Sequence, residues 1–509
     1  MLKKRILSFT LVSVLALSTL VGCSVGSKSS DSNSSGDTEK GSTASPTSTE
    51  SEPVEINISF WEGGTEQEVE NGLNKVIEAY KNIKPEVKVN LISQPSDGYA
   101  QWLNTRYASN GMPEIVMSQP TLLRDAFEQG FLLNIENEFN NPNEYANGTV
   151  WKDIFVEGSL SNVHADLYDP SYAIPLQGLG LAYYYNKTTY DQLGLNVPQT
   201  YNEFIENCKV IEKNDINPIA LPAMKKDAVS WMIWYYTTGL FGNKYLSDAA
   251  ININMDKTIQ NNEHVKAIEE GLFDITKGDT KKDFEKYLDY IEELAKYAQK
   301  STGLDEAGAK AQFLSGKAAH LMSGSWDLKA FVLDNETGIE IGAFPLPEFT
   351  SENSEYAGAQ LTIASYTPFA ITKTAERDEN VRKAAIDFMK FLTAPDNYKL
   401  FVETAACIPA VNDLDVDESF KAFTTGNQPL LPIFARSSGN SPMDINNATI
   451  NVLSGEKYNR DELIKDVQSS FVDYAEAFKE KLEISKENNY KIDELPKVGG
   501  EFVPLKPTK

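Results

Sequence analysis

The stretch Ile56–Pro85, INISFWEGGTEQEVENGLNKVIEAYKNIKP, decides the fold. Ile56, Ile58 and Phe60 alternate over a short strand that runs into Trp61-Glu62-Gly63-Gly64. Thr65 with Glu68 three residues on has the spacing of a capping box, so a helix is expected to open there. Val69, Leu73, Val76, Ile77, Tyr80 and Ile83 recur at helical intervals and form its expected apolar face. Pro85 stops it, and Val87, Val89 and Leu91 alternate as a second strand. Strand, glycine-bearing turn, helix and strand make a βαβ unit. Ligands of such sheets sit at the carboxyl ends of the strands, which puts Trp61 and Glu62 on a binding edge.

The pattern continues. A helix is expected over Asp97–Ser109, a doubly buried strand over Glu114–Ser118, and a helix over Thr121–Gln129 closed by Gly130. The three strands then end at Trp61, near Gln94-Pro95-Ser96, and at Gln119-Pro120, side by side along one crevice. Ala173–Tyr185 is apolar but broken by Pro175, Gly178 and Gly180, as suits a strand crossing between lobes. A second α/β pattern follows: a helix at Tyr201–Asn214, a strand at Pro218–Leu221, and a helix carrying Trp231 and Trp234. Helices at Lys281–Lys300 and Gly308–Ala319 lead to a strand at His320–Trp326. Strands at Gly338–Pro347 and Leu361–Thr372 and helices at Asn380–Thr393 and Asp461–Lys481 complete it. No repeat of 20–50 residues is present.

At 509 residues the chain exceeds what one core usually serves, so two lobes are expected. Seventy-three acids against 47 bases, a net charge of −26, argue against a nucleic-acid partner. Lys3-Lys4-Arg5 and the apolar run Ile6–Leu20 form an export signal too short to span a bilayer comfortably. Leu20-Val21-Gly22-Cys23 resembles the lipobox of bacterial lipoproteins, which implies lipid on Cys23. The following Ser/Thr/Gly-rich stretch, 24–52, cannot bury enough apolar surface to order itself. As a coil it would act as a tether on the order of 30 Å long. Cys208 and Cys407 lie in apolar contexts and are expected to be free thiols.

Catalytic signatures are missing. There is no G-x-S-x-G, H-E-x-x-H or P-loop, and Gly178-Leu179-Gly180 is only a fragment of a dinucleotide fingerprint. His164, His264 and His320 are scattered. Asp413, Asp415 and Asp417 imitate a calcium loop, but Glu418 replaces its turn glycine. No cofactor and no metal are expected. What stands out is aromatic content: six Trp, 23 Tyr and 24 Phe. Aromatic faces suit sugar C–H faces, and amides or carboxylates take the hydroxyls. Trp61, Trp326 and Trp231 are the expected ligand aromatics, whereas Trp102 and Trp151 are expected in the core.

Several landmarks together resemble the extracellular solute-binding lipoproteins of carbohydrate ABC importers, the family 1 group that includes the maltose-binding proteins. They are ISFWEGG, VIEAYKNIKPEVKVNL, GMPEIVMSQP, YAIPLQGLGLAYYYNKTTYDQLGLNVPQTYNEF, FLSGKAAHLMSGSWDL, GAFPLP and the run ending AACIPAV. The resemblance covers essentially everything after residue 54. It implies an α/β fold of two lobes, each a doubly wound sheet, joined by about three crossings that close on a sugar. The expected division is 1–22 signal, 23–53 lipidated cysteine and tether, 54–174 with 358–410 as lobe 1, and 175–357 with 411–509 as lobe 2. Carried over residue by residue, it implies ligand contacts from Trp61, Glu62, Gln119, Gln177, the Lys225–Trp231 loop and Trp326. Gln94, Asp97, Ser325 and Arg436 join them as candidates. The family often has Asp where Gln119 and Gln177 stand, and the motifs do not place 140–169 or 244–281. The implied partners are a sugar or oligosaccharide, the permease subunits of an importer, and the outer face of the cell membrane through the lipid. The body is expected to be a monomer without enzymatic activity. The competing readings are a cell-surface glycan hydrolase and a sugar-sensing subunit of a membrane kinase.

Overall fold

The computed structural model describes residues 53–62, 68–96, 98–156, 159–163, 172–224, 226–255, 259–298, 300, 303–361, 365–415, 417–426, 431–437, 441 and 443–495. The Thr65 cap, Cys23, Asp97, His164 and Lys225 lie outside them.

Strand β1 (Val54–Glu62) buries Ile56, Ile58 and Phe60 completely. Helix α1 (Glu68–Lys81) turns Val69, Leu73, Val76 and Tyr80 inward. Ile83 departs from the expected face: the helix has ended at Lys81, and the side chain is half exposed. Next come β2 (Val87–Pro95), α2 (Tyr99–Ser109), β3 (Ile115–Met117) and α3 (Pro120–Glu128). After α4 (Glu136–Phe139), the described residues between 140 and 163 hold short helical turns, the last of them α5 (Ser159–Val163). Strand β4 (Ala173–Leu179) is parted by Gly180 from β5 (Leu181–Asn186).

After α6 (Lys187–Leu193), α7 (Tyr201–Lys213) opens with a complete capping box, Thr200 to the Glu203 amide and Glu203 back to Thr200. Then follow β6 (Asn217–Ala220), α8 (Lys226–Leu246), α9 (Asn261–Glu269), α10 (Gly278–Ala298), α11 (Glu306–Leu314) and β7 (Ala318–Gly324). The helix expected to reach Ala319 stops at Leu314, because Ala318 and Ala319 are already paired strand. The remainder is β8 (Ile341–Pro345), β9 (Ser365–Ile371), α12 (Glu379–Thr393), α13 (Pro395–Ala405), β10 (Ile408–Pro409), α14 (Lys421–Thr424), α15 (Ile445–Leu453) and α16 (Arg460–Leu482).

Two mixed sheets result, ordered β10-β4-β9-β3-β1-β2 and β6-β7-β5-β8. The first carries α1, α12 and α13 on one face, over a core that includes Ile58, Leu73, Phe388 and Phe401. Its other face packs α2 and α3 through Leu103, Val116 and Leu123. The second alternates in the same way along β5. Leu181 and Tyr183 face the large core under α7, α8 and α10, whereas Ala182 and Tyr184 face α11 and α14. Each sheet is therefore covered on both faces, the doubly wound two-lobed α/β arrangement expected. The chain changes sheet at Gly180 and again between β8 and β9, and after β10 it returns to the second sheet as helix α14, whose Ala422 and Phe423 pack with Ala182 and Tyr184. Cys208 and Cys407 are buried free thiols, and burial pushes both thiols up.

Candidate ligand-binding site

The registers bring strand ends together. In the first sheet Trp61 pairs with Gln94, Ser59 with Val116, Val116 with Ala370, and Gln177 with Thr367. Continuing these rows sets Glu62, Gln119, Thr367 and Gln177 at one level on the carboxyl edge, and the bond from Ser118 N to Pro368 O (3.2 Å) fits that alignment. In the second sheet Leu181 pairs with Gly324 and Ala182 with Pro345, so β7 and β8 end where β5 begins. The carboxyl ends of β1 to β4 and of β7 and β8 thus arrive on either side of Gly180.

On the first side, half-buried Trp61 meets Tyr99 at 5.3 Å, and Tyr99 stacks on Trp102 at 5.7 Å. Ser59 Oγ and Tyr99 Oη lie 3.0 Å apart, which fixes the middle ring. Trp102 is not the enclosed core residue expected: it is half-buried, with the Arg106 guanidinium 5.0 Å from its ring. Trp151 is core, fully buried with Nε1 donating to Thr393 Oγ1 at 2.8 Å. Tyr99 was missed in the sequence, although its i,i+3 relation to Trp102 directly after β2 was a usable signal.

The polar candidates here differ in availability. Glu62 accepts the amides of Glu70 (2.8 Å) and Val69 (3.3 Å), so its carboxylate caps α1. Burial raises its pKa, and those two amides oppose the rise. Gln94 Nε2 donates to Ser93 O at 2.8 Å. Gln119 is the exposed residue preceding α3, and Gln177 is half-buried.

On the second side, Trp326 follows β7 and Trp231 lies in α8. Their rings are 5.1 Å apart and tilted by 55°, both half-buried. Trp326 lies flat over Gly324, where a Cβ would sit 2.0 Å from its ring, so only glycine admits this pose. The Tyr184 hydroxyl donates to Gly324 O at 2.8 Å and holds that floor in place. Ser325 is buried and engaged with the crossing: its amide donates to Gly180 O (2.9 Å) and its Oγ accepts from Gly180 N (3.3 Å). Gly180 has no room for a side chain, because a Cβ would approach Phe423 O to 2.2 Å. Arg436 is buried near His264, whose imidazole burial and that charge keep neutral. The acid triplet 413–417 is in part an N-cap, with Asp417 accepting from the Ser419 amide at 2.8 Å and hydroxyl at 2.6 Å.

The lobes also touch away from these rings. Lys481 Nζ on α16 lies 2.9 Å from both Asp125 Oδ1 and Glu128 Oε2 on α3, and Arg124 sits over the Phe478 ring.

Two doubly covered sheets whose strand ends converge on shared crossings define a two-lobed binding protein of the periplasmic-binding-protein type. The chain belongs to the family of bacterial extracellular solute-binding proteins, whose model matches residues 63–399. It is similar to the multiple sugar-binding protein of Streptococcus mutans serotype c, 22% identical over 375 residues, 72% of this chain and 76% of that protein. The apo form of RafE from Streptococcus pneumoniae matches in fold with a TM-score of 0.59 at 18% identity, over 84% of this chain and 99% of RafE. The GacH receptor of Streptomyces glaucescens matches with a TM-score of 0.56 at 18% identity, over 82% of this chain and 98% of GacH. Among the described residues no helix is long and apolar enough to cross a membrane.

Proposed function

We propose that this protein captures a sugar or oligosaccharide between its lobes and delivers it to an ABC importer. In this reading it is held at the outer face of the bacterial membrane by lipid on Cys23 and works as a monomer. The observation that carries the reading is the pair of aromatic groups, Trp61-Tyr99-Trp102 and Trp231-Trp326, at the strand ends on the two sides of Gly180. Indole faces stack on sugar rings, and the amides of Gln94, Gln119 and Gln177 are of the type that binds hydroxyls. The relatives point the same way, since RafE has been solved with raffinose and GacH with acarbose. The proposed lobes are divided at Gly180, between β8 and β9, and beyond β10.

Binding is favoured over hydrolysis by the condition of two nearby carboxylates. Glu62 is committed to the α1 amides, and Asp327 is buried against Lys310, so neither is placed to serve as acid or base. Calorimetric titration with raffinose, stachyose and acarbose, beside small-angle scattering, tests the proposal. Saturable binding with compaction is expected, because a ligand touching both lobes binds the closed form more tightly. Binding without compaction would remove the closure mechanism, and turnover on prolonged incubation would favour the hydrolase.

A further inference from the structure

Both neighbours of Trp326 are tied down, by different means. Ser325 is tied to the Gly180 backbone. Asp327 closes the same single turn, Ser325–Asp327, and its carboxylate is fully buried. One oxygen accepts from Lys310 Nζ at 2.7 Å and the other from Ser323 Oγ at 2.6 Å. Lys310 stands on α11 with a side chain only 12% exposed, and also pairs with Glu306 at 2.9 Å.

A buried ion pair is a poor way to gain stability, since apolar groups of the same volume often do as well or better. It does supply direction. Two partners on separate elements, α11 and β7, fix where the carboxylate sits, and the carboxylate fixes the turn that carries the indole. The tolerance there is small, because Trp326 already lies against the Gly324 backbone on one side and Trp231 on another. We infer that Asp327, held by Lys310 and Ser323, is a positioning residue that sets the plane of the Trp326 indole for ligand stacking without touching the ligand. The inference rests on the sugar-binding reading for its consequence, but its geometric content can be tested without sugar.

The experiment compares Asp327→Asn, Lys310→Met, Lys310→Arg and Glu306→Gln in the full chain. Near-UV circular dichroism of the ligand-free protein reports fixed aromatic packing; titration with raffinose and stachyose reports binding. Asp327→Asn keeps the shape and an acceptor for Ser323 but removes the charge facing Lys310. It and Lys310→Met are expected to alter the near-UV spectrum and weaken binding at least about tenfold, while far-UV dichroism stays unchanged. Lys310→Arg is expected to retain both properties, and Glu306→Gln, which leaves the Asp327 bond in place, to leave both unchanged. In a Trp326→Phe background, Asp327→Asn should no longer change the near-UV spectrum. A folded Asp327→Asn protein with wild-type spectrum and affinity would overturn the inference. So would a spectral change that persists in the Trp326→Phe background. If Asp327→Asn does not fold, Lys310→Met decides by the same comparison. If the wild type binds neither sugar, the sugar reading suffers, while the near-UV comparison still decides the positioning role.

Discussion

Replacing Gly324 by alanine adds one carbon, and the structure specifies what it meets. The new Cβ would lie 2.0, 2.2 and 2.3 Å from three atoms of the Trp326 six-membered ring. The Gly324 backbone is extended (φ −100°, ψ 173°), so alanine brings no conformational strain and the whole effect falls on the indole. Ordinary carbon contacts need roughly 3.5 Å, so the ring must retreat by about 1.5 Å. Overpacking of this kind costs about 1–3 kcal/mol when the neighbours cannot yield. Trp326 is only half-buried, so it is expected to swing away, removing a stacking anchor worth at least about 2 kcal/mol. The dissociation constant for raffinose or stachyose should then rise about thirtyfold. A double-mutant cycle by calorimetry gives the decisive reading. With Trp326→Ala already present, Gly324→Ala should cost almost nothing more, since both act on one ring. Gly324→Ala binding within about twofold of wild type, or full additivity in the cycle, would refute the assignment of Trp326 as an anchor.

Lys481→Glu should open the ligand-free protein by turning the α3–α16 bridge repulsive. Exposed ion pairs contribute up to about 1 kcal/mol each, so a larger radius of gyration and roughly fivefold weaker binding are expected, with Asp125→Lys restoring both; an unchanged scattering profile would count against it. His320 is fully buried between Tyr190 Oη (2.6 Å) and Pro218 O (2.8 Å), and burial lowers its pKa to about 4. With the folded value below the unfolded one, its contribution of roughly 3 kcal/mol is present above pH 6.5 and lost as pH falls towards 4. Urea titrations across that window should show a shallower loss for His320→Gln, and equal slopes would disprove the role. Cys23→Ser should release the protein from the membrane fraction, and a chain beginning at Pro53 should bind sugar within tenfold of full length; failure of the first would rule out the lipid anchor.

How much was legible follows from the range of the interactions involved. Ile56–Phe60 and the face of α1 depend on neighbours within one or two turns, so periodicity and spacing determined them; the Thr200–Glu203 capping box has the same short range but went unread. The succession of strands and helices, in turn, determined which loops share the carboxyl edge, and so pointed to Trp61, Gln119 and Trp326. The family landmarks extended this to two lobes. What the tertiary structure alone decided is partnership over long separations. The contact between Trp231 and Trp326 spans the change from α8 to β7, and no spacing rule encodes a tilt of 55°. Whether a polar group is available to a ligand was equally hidden. Glu62 and Ser325 have the right chemistry, yet one is taken by α1 amides and the other by Gly180, because a buried polar group must find a partner wherever the fold supplies one. Trp102 and Ile83 misled for the complementary reason: an apolar side chain is buried only where another element arrives to cover it, and at those two positions the covering is partial.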